Sequence, residues 1–198
     1  MKWSLRDWVY IAVFGALWGV VEVGLGSYLH VIFPSLGNTF FTGLTLAALG
    51  IMLALVGRSF VPHRGAVLMI AVITALLKLL SPGGVKLGPM LAIVAEGLLM
   101  ELGLLWRGGK VRPAYALAGA LALAWNAVHP LIMLPVLFGR TLAESWTKIA
   151  KDGSAILGLD ASQALLILGL LLVIRWAIGA AAGWLAWDIA RAARRRAG

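Results

Sequence analysis

The chain has 198 residues, 62% of them hydrophobic, and a formal charge of +9; its mean hydropathy is +0.96. A water-soluble domain averages about 45–50% apolar residues, so a soluble globular fold is excluded. The absence of cysteine removes disulfides, thiolate catalysis and cysteine-linked lipid. No Gly-rich turn ending in Gly-Lys-Ser/Thr occurs, which removes nucleotide hydrolysis by that route.

A helix needs about 20 mostly apolar residues to cross ~30 Å of hydrocarbon. Six stretches approach or exceed this. The first, Trp8 to His30, follows Lys2 and Arg6 and contains Ala12, Gly15, Ala16, Gly19 and Glu22. It is longer than the apolar run of a signal peptide, which predicts a retained span. An uncharged link, Phe33 to Thr39 with Asn38, leads to the second stretch, Phe40 to Gly57. A basic link ending at Arg64 precedes the third, Gly65 to Leu80, which carries Lys78 and is slightly short. Turn formers from Ser81 to Pro89, with Lys86 among them, lead to the fourth, Leu87 to Trp106, which holds Glu96 and Glu101. The second basic link, Arg107 to Pro113, ends in the fifth stretch, Ala114 to Phe138, with Trp125, Asn126 and His129 before Pro130. The longest link, Gly139 to Ala161, contains an amphipathic piece from Thr141 to Ala150. There Leu142, Trp146 and Ile149 recur at helical spacing, predicting a short helix on the outer face. The sixth stretch, Ser162 to Trp187, carries Arg175, Gly179 and Gly183 and precedes a basic tail, Arg191 to Arg196.

Only helices and closed barrels satisfy every backbone group in lipid, and these continuous runs lack the alternation of barrel strands. The expected fold is an all-α integral membrane protein, one domain over residues 1–198, with six transmembrane helices. Lys2, Arg6, Arg58, Arg64, Arg107, Lys110, Arg112, Arg191, Arg194, Arg195 and Arg196 all fall in the tails or in alternate links. The positive-inside rule then puts both termini in the cytoplasm of a multi-pass cell-membrane protein. That distribution suits anionic lipid headgroups rather than nucleic acid.

An ionisable group at the centre of a membrane helix costs at least ~2.5–3.5 kcal/mol, so such groups face the bundle interior, pair, or line a pathway. At about 1.5 Å rise per residue, Glu22, Lys78 and His129 fall in the outer half, Glu96 and Arg175 near the middle, and Glu101 nearer the cytoplasm. Glu22 with Lys78, and Glu96 with Arg175, are matched in depth. Each couple is either a structural salt bridge or part of a substrate cavity. Pro130 removes a backbone donor, and a break of that kind suits a cavity border. The candidate substrate site therefore comprises Glu22, Asn38, Lys78, Lys86, Glu96, Trp125, Asn126, His129 and Arg175, opening outward beneath the links near Asn38, Lys86 and Ser145. Trp125 would offer a stacking face for a flat substrate. No second His or carboxylate stands at ligand spacing from His129, so no metal and no cofactor are expected.

Small residues at four-residue spacing let helices approach closely. Ala12 and Ala16, and Gly15 and Gly19 on the adjacent strip, form such a surface in the first span. A chain near this length with six spans and an Ala-x-x-x-Ala motif in the first, within Ile11 to Gly19, resembles the substrate-binding S-components of energy-coupling-factor (ECF) transporters. The segment Gly83 to Pro89 followed by Glu96 is similar to the start of the fourth span in uncharacterised proteins of this type. The resemblance implies a subunit that captures a vitamin or vitamin precursor and has no enzymatic activity of its own. It implies docking through Ala12, Gly15, Ala16 and Gly19 to a separate transmembrane coupling subunit, with two ATPase subunits supplying energy. The metal-transporting members carry an N-terminal His signature, which Met1 to Ser4 lacks. Two alternatives stand beside this reading: a membrane-embedded enzyme using Glu96, Glu101 or His129 as acid or base, and an accessory membrane protein without a small-molecule ligand.

Overall fold

A computed structural model describes residues 3–25, 39–81, 87–139 and 141–197. Among these, seven α-helices follow one another: α1 (Leu5–Val20), α2 (Thr39–Phe60), α3 (Ala66–Leu77), α4 (Leu87–Leu105), α5 (Arg112–Phe138), α6 (Leu142–Leu157) and α7 (Ala164–Ala197). A π-turn, Val21–Leu25, continues α1, and a 3₁₀ turn, Lys78–Leu80, continues α3. Five helices are long and apolar enough to cross a membrane; the apolar stretch Ala66–Leu80 is shorter. At about 1.5 Å per α-helical and 2.0 Å per 3₁₀ residue, that stretch spans only ~24 Å. The protein is thus a helical bundle suited to multiple membrane passes.

The helices close a ring in the order α1, α3, α4, α5, α7, α2, with α6 against α5 and α7. The tightest crossing joins α5 to α7. A Cβ on Gly119 would collide with the carbonyl of Gly179, and one on Gly183 with the carbonyl of Tyr115. Backbones this close gain dispersion contacts that lipid cannot replace, the main source of helix association in a membrane. The Gly179 and Gly183 strip is therefore internal packing. Trp18 is fully buried between α1 and α2, packed on Gly50.

The small-residue surface of α1 divides in two. Gly15 and Gly19 are buried, and a Cβ on each would stand 2.8 Å from Ile73 and 2.7 Å from Leu77. They are where α3 seats on α1. Their expected place on a docking surface is corrected: they are occupied inside the bundle. Thr74 reinforces the seat, its hydroxyl lying 3.0 Å from the Gly15 carbonyl. Ala12 and Ala16 lie on the neighbouring strip and are exposed, beside exposed Val9, Val13 and Leu17.

Basic segments distant in sequence converge at one end of the bundle. Ser4 and Asp7 cap α1 reciprocally, with Asp7 N–H donating to Ser4 Oγ at 3.2 Å and Ser4 N–H to Asp7 Oδ2 at 2.8 Å. Asp7 also lies 3.4 Å from His63 in the α2–α3 link. Trp3 packs on both Trp8 and His63. Arg58, the Gly108–Gly109–Lys110 turn and Arg194 surround a common cavity at this end.

Two boundaries differ from expectation. The last helix does not stop at Trp187 but runs on to Ala197. Its tail is built of Ala and Arg, both strong helix formers, and its last-turn cations Arg194, Arg195 and Arg196 complement the helix dipole. Thirty-four residues make ~51 Å, so the basic turns extend past a ~30 Å hydrocarbon layer. The outer-link helix α6 forms, with Thr141 and Glu144 capping it reciprocally. It runs past the expected end at Ala150 to Leu157. Ser145, Ala150 and Gly153 are buried with Trp146 and Ile149 half-buried on the same face, whereas Leu142 in the first turn is 68% exposed. Gly153 lets α6 settle directly on Ile167 and Leu171 of α7.

Candidate functional site

The polar groups embedded in the bundle gather where α1 and α3 lose regular helical geometry. The π-turn carries Glu22 and the 3₁₀ turn begins at Lys78. Such turns re-aim side chains and recur at functional sites. Lys78 Nζ donates to Glu22 Oε2 at 2.9 Å and to the Glu22 carbonyl at 3.1 Å. Side chains of the pair are only 14% and 11% exposed. One ammonium thus holds both the side chain and the main chain of the turn.

Glu96, on α4, is 3% exposed. Its carboxyl accepts a hydrogen bond from the side chain of Asn126 on α5 and lies within electrostatic reach of Glu22. Gly43 of α2 faces the same amide; a Cβ there would stand 3.8 Å from Asn126 Oδ1. The matched depths of Glu96 and Arg175 suggested a second couple, and this is corrected. No ion pair joins them among the described residues, and Glu96 is bonded to Asn126. Arg175 is buried on α7. Depth is one coordinate; which way each helix is rotated decides the partner.

His129 lies one turn beyond Asn126. Its Nε2 is 3.1 Å from the carbonyl of Gly88, so the Nε2–H tautomer donates and ties α5 to the first turn of α4. Trp125 meets the His129 ring edge-on, with centroids 5.8 Å apart, and its indole N–H is buried. The structure therefore brings Glu22, Lys78, Glu96 and Asn126 into one cluster and sets Trp125 and His129 on the helix that supplies Asn126. Asn38 and Lys86 lie outside the described residues. Ser145 does not border an opening: it is buried, with its hydroxyl bonded to the Thr141 carbonyl at 3.1 Å.

Glu101 has a role that depth did not suggest. Its Oε1 accepts from the backbone N–H of Val67 at 2.8 Å. Val67 is in the first turn of α3, whose Gly65 cap has no side chain to offer. Glu101 supplies from another helix the acceptor missing at that end. Among the described residues no three His, Asp or Glu converge as a metal site. Thr74 and Gly43 were not singled out in sequence; a threonine and a glycine in an apolar run carry no signal of the neighbour they serve.

The arrangement is a polar core of two carboxyls, one ammonium and one amide, drawn from four helices, with the carboxyls and the ammonium largely buried. It can accept and donate hydrogen bonds to a small polar molecule. No protein-family model, curated protein or solved structure matches this chain.

Proposed function

We propose that the chain is the substrate-binding membrane subunit of an ECF-type importer, taking up a small nutrient such as a vitamin or vitamin precursor. In this reading it has six spans and cytoplasmic termini, and it works with a coupling subunit and two ATPase subunits in the cell membrane. The observation that carries the reading is the Glu22–Lys78–Glu96–Asn126 cluster. Four polar groups from four helices are costly in a bilayer, and a fold without a polar ligand has little reason to bring them together. The exposed Ala12 and Ala16 strip is further support, because it offers a smooth surface to another helix. An enzymatic role through Glu96, Glu101 or His129 is not favoured: Glu101 is committed to a helix end and His129 to the Gly88 carbonyl.

Mass spectrometry of protein purified in mild detergent should find a stoichiometric small molecule. Asn126→Ala should weaken its retention roughly five- to 150-fold, the worth of one buried hydrogen bond. Ala12→Trp and Ala16→Trp should abolish capture of a coupling subunit while leaving that molecule bound. If no molecule is found and no coupling or ATPase subunit copurifies, the reading is wrong.

A further inference from the structure

At the basic end of the bundle lies a cavity of about 280 Å³, walled by the end of α2, the α4–α5 turn, the start of α5 and the tail of α7. Arg58, Lys110 and Arg194 line it together with Ser59, Tyr115 and Trp187, and no carboxylate is present in its wall among the described residues. Two of the lining side chains are more than nine-tenths buried: Arg58 is 9% exposed and Ser59 8%. Both hold a buried polar atom without a hydrogen-bond partner, Arg58 Nε and Ser59 Oγ. Arg58 Nη1 donates to the carbonyl of Val61 at 2.9 Å, which fixes the guanidinium in place. Tyr115 is within electrostatic reach of both Arg58 and Arg194, and packs edge-on against Trp187 at 5.0 Å.

The missing negative charge has no source in the chain's own side chains. There are eight acidic residues, and each is engaged elsewhere. Asp7 caps α1 and faces His63. Glu22 pairs with Lys78 and Glu96 bonds Asn126. Glu101 caps α3 and Glu144 caps α6. Asp152 pairs with Lys148, Asp160 caps the turn at Ser162, and Asp188 pairs with Arg112. A buried guanidinium is stable only when paired and hydrogen-bonded. Three cations around one cavity, with an unpartnered N–H and hydroxyl on two of the residues that line it, are complementary to an oxyanion with several acceptor oxygens.

We propose that this cavity is a binding site for a phosphate group. Arg58 and Ser59 grip it from the buried side, and Lys110 and Arg194 close over it from the exposed side. The volume falls just below the ~300 Å³ lower bound of drug-sized pockets, which suits a phosphate or a phosphodiester headgroup. The same chemistry is offered by an anionic lipid or by free phosphate, and the experiment separates them.

The full chain, purified in detergent and reconstituted in phosphatidylcholine nanodiscs, is titrated with inorganic phosphate. In a second arm, native mass spectrometry counts phosphatidylglycerol retained against phosphatidylcholine. The double variant Lys110→Ala/Arg194→Ala changes only exposed side chains and so tests the site without threatening the fold; Ser59→Ala tests the buried side. The double variant should weaken binding of the retained probe about tenfold or more, the loss expected for charge-assisted hydrogen bonds. Arg195→Ala/Arg196→Ala, on the same basic tail but not lining the cavity, should leave it unchanged. A response to inorganic phosphate in the neutral discs identifies a soluble phosphate as the source. Selective phosphatidylglycerol retention without that response identifies a lipid headgroup. The proposal is overturned if neither probe distinguishes wild type from the double variant, or if the tail control loses as much.

Discussion

The cluster between α1, α3, α4 and α5 and the cavity between α2, α5 and α7 both place charge in low-dielectric surroundings, but they balance it differently. Around Glu22 the protein supplies its own counter-ion, 2.9 Å away, and its own hydrogen bonds. Around Arg58 it supplies cations from three segments and, among the described residues, no acid. A self-compensated cluster is charge-balanced as folded, so removing one member is felt as lost stability in addition to any loss of ligand. An uncompensated one is balanced only with an anion, so its removal is felt as lost binding with little loss of stability. Charge balance, more than burial, decides whether the fold also depends on the group.

The largest expected effect breaks the compensated side. Lys78→Met strands the Glu22 carboxylate and should destabilise the protein by about 3–5 kcal/mol, the cost of breaking a buried pair from one side. Adding Glu22→Gln should recover most of it, because two neutral residues leave no orphan charge. Thermal unfolding of the three variants in one detergent checks this; a double variant no more stable than the single would mean the pair is not self-contained. Next comes Asn126→Ala, which removes the hydrogen bond to Glu96 and should cost about 1–3 kcal/mol in the same assay. Glu101→Ala should cost about 0.5–2 kcal/mol, the range for a lost helix cap. Its signature is earlier hydrogen exchange at the Val67 amide rather than a change in ligand retention.

The smallest effect has the opposite sign. Lys110→Ala/Arg194→Ala removes like charges from the uncompensated cavity. Without added phosphate it should leave stability within about 0.5 kcal/mol of wild type, or slightly higher at low salt. With the anion bound, wild type should be the more stable, because ligand binding to the folded state stabilises it by mass action. A clear loss of stability without any anion would place these side chains with the compensated kind and erase the contrast.

Much of this was legible in the amino-acid order. Hydropathy alone located the apolar helices, because in lipid every backbone group must be satisfied within its own segment and only a continuous apolar helix does this. Depth counted along those helices matched Glu22 with Lys78. Alternation of basic links anticipated that their cations would share one end. Rotation about each helix axis was not legible. In a soluble bundle the polar stripe reveals the outward face, but a lipid-facing surface is as apolar as the core. Nothing in the order of residues therefore told Ala12 and Ala16 from Gly15 and Gly19. Only the seating of α3 on α1 sent the glycines inward and left the alanines exposed. The same missing coordinate misassigned the partner of Glu96 and hid the capping role of Glu101. The basic cavity was beyond sequence for a further reason: Arg58, Lys110 and Arg194 belong to three segments far apart in the chain, and charge marked each as basic while only packing closed them around one space.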